Sequence, residues 1–334
     1  MGDVAMTVPV ITSVALSNRD LQVTVLTQQR MAALFSWMPE NVRVMGVNLH
    51  DFHGVTGLNR LYGQLQACGF DAVADLHDVL RTKYLRMRFR LAGTKVAVIN
   101  KTRAERKALL GHGLEHAALM PVTEKYAAVL RGLGLCMTAT YTPPRIEDSE
   151  FTFLDALRET GSALTATFTS PAVGVAPFAA HKGKIYPLEM MKEVVDRLAD
   201  SGMQVYLFGA GSNERAVLES WERAGVVSVA GRLGGLRNEL LLMSRLRVMV
   251  SMDSSNMHMA AMMGTPTVSV WGATHPKAGF TAWNQPADSI VQVPMSCRPC
   301  SIYGSKPCRK GDYPCLRQIS PLRIVELVKK YEAE

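Results

Sequence analysis

The sequence predicts an α/β chain of two Rossmann-like domains built on parallel sheets. Three observations carry this. Short apolar runs bounded by Gly, Pro and polar residues alternate with helical patterns along the chain, and strands separated by helices pair in parallel. Residues 248–280, VMVSMDSSNMHMAAMMGTPTVSVWGATHPKAGF, read as strand, tight polar turn, helix and strand, one complete βαβ unit. The length of 334 residues suits about two domains on a prior of ~150 residues each. Residues 141–149, with Pro143-Pro144 and several charges, make the best linker, so the domains are placed at 1–145 and 146–334.

The elements follow in order. Gly2-Asp3 reads as a loop and N-cap before a helical pattern with apolar Val4, Val8, Ile11, Val14 and Ala15, broken near Asn18. An α/β domain places a strand before such a helix. None precedes it here, so the first sheet is expected to lack its first strand. Strands at residues 22–27, 42–48, 72–76 and 95–99 alternate with helices at 28–37, 58–67, 79–91 and 124–133. A helix over 154–163 leads into the second domain. There strands at 172–176, 204–208, 226–229, 248–252 and 267–271 alternate with helices that start near Pro187 and span 214–224, 238–246 and 256–263.

Composition excludes several classes. No apolar run reaches the ~18 residues of a membrane span, and no basic segment precedes an apolar core as in a signal peptide. Six cysteines without a secretory signal argue for the cytoplasm, with thiols free or metal-bound. Cys68 and Cys136 read as buried apolar residues. The net charge of +8 favours an acidic partner, whether nucleic acid, anionic membrane or phosphorylated substrate. The densest basic region is Lys83, Arg86, Arg88, Arg90, Arg103, Arg106 and Lys107. It reads either as a solvated helix face or as a docking surface for an anionic lipid headgroup. Nucleic acid is disfavoured because the chain reads as an ordered series of βα units rather than as a nucleic-acid-binding module. Gly209-Ala210-Gly211 lacks the third glycine of a dinucleotide fingerprint. No P-loop and no G-x-S-x-G occurs.

The remaining signals point to a phosphorylated ligand. Asp253 sits at the carboxyl end of a strand, where open α/β sheets bind ligands. Ser254 and Ser255 open the following helix, whose free N–H groups and dipole suit a phosphate. His258 lies four residues after Ser254, on the same helix face. Lys184 stands in a loop before a helix, within reach of a diphosphate. Cys297, Cys300, Cys308 and Cys315 cluster in a loop rich in Gly, Pro, Lys and Arg. Four soft ligands could form a tetrahedral zinc cage; reduced or redox-labile thiols are the other reading.

D-S-S-N-M-H-M-A-A at 253–261, G-T-P-T-V-S-V-W-G-A-T-H-P at 264–276, K-I-Y-P at 184–187, and Gly2, Asp3 and Pro9 together resemble glycosyltransferase family 9, the ADP-heptose:lipopolysaccharide heptosyltransferases. The resemblance implies a GT-B arrangement of two facing domains. It implies inverting transfer of a heptose-like sugar from a nucleoside-diphosphate donor, such as ADP-heptose, to a lipopolysaccharide-core or lipid-linked acceptor. By the same resemblance Lys184, Asp253, Ser254, Ser255 and His258 bind the donor and Asp3 is the candidate catalytic base, a plain N-cap being its other reading. Leu233 and Glu214 fall where the family holds adenine and ribose. No cofactor or metal is required for the transfer. The expected partners are a nucleotide sugar, an anionic lipopolysaccharide-type acceptor and the inner face of the cytoplasmic membrane as a peripheral contact. Two departures stand out: Ala179-Ala180 where hydroxyl residues are common, and Ser255 where glycine is common. A nucleotide-sugar epimerase of the same fold and a non-catalytic nucleotide-sugar binder are the alternatives; an epimerase would turn over the donor without an acceptor.

Overall fold

The computed structural model describes residues 1–112, 118–153 and 172–331; the helix expected over 154–163 lies outside them. The chain divides into two compact units. One comprises Thr7–Thr102 and Met120–Thr142, the other Met1–Met6, Arg103–Leu119 and Pro143–Glu334. The chain opens with α1 (Gly2–Ala5) in the second unit and α2 (Thr7–Ser17) in the first.

In the first unit, α2 is buried from Thr7 to Ala15, as its apolar sequence on every side demands. Four strands follow: β1 (Val23–Gln28), β2 (Val42–Val47), β3 (Ala72–Asp75) and β4 (Lys95–Val98). β1 pairs with β2 and β3 with β4, both in parallel. Among the described residues no ladder joins the two pairs. Most residues of these strands stay only half-buried, whereas parallel strands covered on both faces are normally buried throughout. The helices α3 (Gly54–Gln66) and α4 (Leu80–Leu91) pack through Leu61, Tyr62 and Leu65 against Leu85 and Phe89. The Tyr62 and Phe89 rings meet edge to face at 5.1 Å.

Three local expectations need correction. Residues 28–37 form a 3-10 segment, Gln29–Phe35, rather than an α-helix; a short connector that must bury Met31, Leu34 and Phe35 suits the tighter turn. Cys136 is exposed and Cys68 half-buried. Cys136 is held by its backbone, whose N–H donates to Asn18 Oδ1 at 3.2 Å, so no burial of its thiol is needed. Gly2-Asp3 is not a capping loop: the helix begins at Gly2 with Met1 as its N-cap, and no side chain caps it.

The second unit is organised by a six-stranded parallel sheet. Its strands are β5 (Ala172–Ala176), β6 (Gln204–Leu207), β7 (Val226–Ser228), β8 (Val248–Met252), β9 (Thr267–Val270) and β10 (Ile290–Val291), in the spatial order β10-β9-β8-β5-β6-β7. The runs AVGVA, VMVSM and TVSV are buried at every position, which is why they read as continuous rather than alternating. β5 pairs on one side with β6 and on the other with β8. The chain therefore winds outward from β5 to β7, then returns and winds the other way from β8 to β10. That reversal puts a topological switch point between β5 and β8, where open α/β sheets hold ligands at the strands' carboxyl ends. Helix α6 (Val122–Gly132) belongs to the first unit; the second unit holds α5 (Arg103–His112), α7 (Leu188–Asp200), α8 (Gly211–Glu219), α9 (Leu236–Ser244), α10 (Ser255–Met262), α11 (Pro314–Arg317) and α12 (Pro321–Lys330). Val194, Val195 and Leu198 of α7 and Ile324 and Val328 of α12 close the core over Val173, Val205 and Val250.

Candidate active site

Two loops leave the sheet at the switch point. The one after β5 carries Lys184 at the end of a 3-10 turn, Lys182–Lys184. The one after β8 carries Asp253. Lys184 Nζ lies 3.0 Å from Asp253 Oδ2. The spacing of Lys184-Ile185-Tyr186-Pro187 has a mechanical reason. Tyr186 is fully buried, its hydroxyl donates to Ile319 O at 2.6 Å and its N–H to Met252 Sδ at 3.3 Å, and Pro187 is the N-cap of α7. The loop is pinned just past Lys184, and the ammonium projects toward Asp253. Burial raises the Asp253 carboxyl above its ordinary value, with the Lys184 ammonium opposing the rise.

Ser254 is the N-cap of α10, in extended backbone, and no side chain caps this helix. The Ser254 hydroxyl instead meets Ser251 Oγ at 3.2 Å. The first-turn N–H groups of a helix have no partner within it, so α10 presents donors and a positive dipole end next to the ion pair. His258, one turn along, is buried, and burial together with the Lys184 charge pushes it down to about 3. It is a neutral ring at physiological pH, and its Nδ1 is buried with no hydrogen-bond partner. α1 packs on α10: a Cβ at Gly2 would sit 3.2 Å from His258 Cδ2 and 3.6 Å from Ser255 Cα. Asp3 is exposed in the first turn of α1, so the opening residues of the chain and α10 share one neighbourhood of one unit.

A third wall was given no role in the sequence analysis, although Thr274 lies in the motif at 264–276. Thr274, in the loop after β9, stands beside Asp253, and its buried Oγ1 has no partner in hydrogen-bond geometry. The loop is held by Arg298, whose fully buried guanidinium donates to Gly272 O at 2.5 Å, Thr274 O at 2.9 Å, Val293 O at 2.6 Å and Trp271 O at 3.3 Å. Arg298 lies inside the cysteine-rich segment. That segment is bonded through Cys300 N–H to Ala273 O at 2.9 Å, and Ala273 N–H reaches Gly183 O at 2.8 Å. Gly304, at φ +76°, passes so close to Lys184 that a Cβ there would lie 2.5 Å from Lys184 Cγ. The cysteine loop thus cradles the lysine stem. Burial pushes Cys300 up to about 11 and also raises Cys315. Among the described residues no three His, Cys, Asp or Glu side chains come together as a metal site.

Glu214 accepts from Ala210 N–H at 2.7 Å, closing the first turn of α8, and Leu233 is buried. Glu239, in the first turn of α9 on the same edge of the sheet, is raised by burial to about 7. Nothing in its sequence context marked it.

A family model for glycosyltransferase family 9 (heptosyltransferase) matches residues 58–310, more than half of the chain. The chain belongs to glycosyltransferase family 9. Lipopolysaccharide heptosyltransferase 2 of Escherichia coli K12 is 26% identical over 230 residues, 64% of this chain and 62% of that protein; the match thus spans under two thirds of that relative. Lipopolysaccharide heptosyltransferase 3 of the same organism is 25% identical over 311 residues, 87% of this chain and 84% of that protein. The fold is that of the solved E. coli ADP-heptose lps heptosyltransferase II, with TM-score 0.71, 18% identity and coverage of 99% of this chain and 95% of that one. The matched family region contains Lys184, Asp253 and His258, while Asp3 lies outside it.

Removing one member of a buried ion pair leaves an unpaired charge. Lys184→Ala is expected to destabilise the protein by about 3 kcal/mol, the lower end for such a loss, because the lysine side chain keeps 16% exposure. Lys184→Ala/Asp253→Asn should recover most of it at pH 7. A carboxyl whose folded pKa is raised adds stability only when protonated, so the gap between single and double variants should close as pH falls through the Asp253 value toward 4. Urea unfolding at the two pH values checks this; equal stability of all three proteins at pH 7 would refute it.

Proposed function

We propose that the chain transfers a heptose-type sugar from a nucleoside-diphosphate donor, ADP-heptose, to a hydroxyl of a lipopolysaccharide-core or lipid-linked acceptor, with inversion at the anomeric carbon. The observation that carries this reading is the 3.0 Å Lys184–Asp253 pair set across the switch point and facing the uncapped N-terminus of α10. An ammonium has three donors. One meets Asp253 and two remain for a diphosphate, whose other oxygens find the first-turn N–H groups of α10. Asp253 then accepts hydrogen bonds from donor sugar hydroxyls, with Thr274 Oγ1 beside it as a further polar group. His258 is a neutral ring that shapes the floor. Glu239, on the same strand-end edge, is a carboxyl suited to a ribose hydroxyl.

In the chemical step the acceptor oxygen attacks the anomeric carbon and the carbon–oxygen bond to the diphosphate breaks. The acceptor proton passes to Asp3, and the negative charge leaves on ADP, where Lys184 and the α10 terminus stabilise it. Attack and departure on opposite faces invert the centre. Asp3 is exposed on a helix that packs against α10, and no side chain caps that helix, so Asp3→Asn takes away a base without removing a cap. The cysteine-rich loop packs on the Lys184 stem through Gly304, its four thiols take no part in the reaction, and the transfer needs no metal. The turnover should therefore survive chelation in a protein that stays folded.

The test is acceptor-dependent release of ADP. Donor alone should give none, which separates transfer from epimerisation. Asp3→Asn should lower turnover by ~10²–10⁴, the range for loss of a general base, with the melting temperature nearly unchanged. Near-normal turnover in Asp3→Asn would remove the base role.

A further inference from the structure

The strongest unexplained feature lies in the other unit. Helix α4, LRTKYLRMRFRL, carries five cations and no acid. At about 100° per residue its residues sort into distinct sides. Leu85 and Phe89 face inward and are buried against α3. On the opposite side Leu80, Met87 and Leu91 fall within an arc of about 40°. They are exposed by 85%, 47% and 80% respectively, which is rare for three large apolar residues in one stripe.

The cations divide in the same way. Arg86 is committed to structure, bonding Asp75 at 2.9 Å and Asp78 at 2.8 Å. Arg88 lies 4.5 Å from the Tyr62 ring centroid and bonds Asn59. Lys83 and Arg90 lie side by side along one border of the apolar stripe and are exposed, with Lys83 only loosely tied to Asp78 at 4.0 Å. Lys83, Arg86, Met87, Arg90 and Leu91 line a shallow depression of about 260 Å³. Cations and exposed apolar side chains sharing one depression suit a phosphate ester that carries a hydrocarbon chain. A face kept merely for solubility would mix both charge signs and hide its large apolar residues.

We infer that α4 is a membrane-surface helix: Leu80, Met87 and Leu91 enter the headgroup layer of an anionic bilayer, and Lys83 and Arg90 hold lipid phosphates at the α4 depression. Among the described residues no helix is long and apolar enough to cross a membrane, so the contact lies in the plane of the interface. The inference rests on α4 alone and stands apart from the donor chemistry of the other unit.

The experiment is flotation with vesicles of phosphatidylglycerol and phosphatidylcholine, against phosphatidylcholine alone, using the whole protein. Binding is expected on the anionic vesicles, weakening as salt rises. Leu80→Ser/Met87→Ser/Leu91→Ser should lower it at least tenfold, and Lys83→Gln/Arg90→Gln should abolish the preference for anionic lipid. All five side chains project from the buried core, so melting temperatures should not move. A Leu91→Trp probe should shift its emission to the blue on anionic vesicles. Three results would overturn the inference. One is vesicle binding unchanged in the serine variant. Another is release of the protein by millimolar inorganic phosphate at constant ionic strength, which would mark a soluble-anion site. The third is a dimer by light scattering that the serine variant dissolves, which would mark the stripe as a contact between copies.

Discussion

The site depends on a single ion pair held at the point where the sheet reverses its winding. Lys184 and Asp253 come from loops 69 positions apart in sequence, after the two adjacent strands β5 and β8. Burying a carboxylate costs more than one partner at 3.0 Å returns, and the raised Asp253 value reports that imbalance. A fold optimised only for stability would replace such a pair with apolar groups. Keeping it next to an uncapped helix terminus makes sense if a ligand supplies the missing interactions.

The pair in turn depends on backbone held elsewhere. Arg298 gathers the carbonyls of Trp271, Gly272, Thr274 and Val293, and so fixes the Thr274 loop without any regular secondary structure. Its guanidinium is buried and always charged, so every acceptor matters. The same segment presses Gly304 against the Lys184 stem. Gly183 closes the contact: a Cβ there would fall 2.8 Å from Ala273 Cβ and 2.9 Å from Gly304 O. The cysteine loop therefore bears on the chemistry through packing, whatever the thiols themselves hold.

What the sequence made legible was the part written in local pattern. β5 and β8 fall on the residues read from apolar runs, because strands buried on both faces have no alternation to misread. Lys184 and Asp253 were marked by their places just past strands and by a family motif. Arg298 and Gly304 were not, since a guanidinium that serves carbonyls 24 to 27 positions away has no signature at its own position; Thr274 lay in the motif but its place beside Asp253 is set by the tertiary fold. Exposure of Cys136 was misread for the same reason: a thiol's surroundings are set by the tertiary neighbours of its backbone. The opening of the chain was read two residues late, because Gly and Asp are common helix starters and their helix in fact begins at Gly2. That α1 lies on α10 is a property of topology alone. The stripe of Leu80, Met87 and Leu91 was present in the sequence but masked by its cations, and only its exposure sets it apart from a core face.

Calorimetric titration of ADP into the wild-type protein and Lys184→Met tests the central claim most directly. A charge-assisted hydrogen bond to a diphosphate is worth about 1.5–3 kcal/mol, so the variant should bind about tenfold to a hundredfold more weakly. Equal affinity of the two proteins for ADP would contradict the account, because the lysine at the switch point would then serve Asp253 and nothing else.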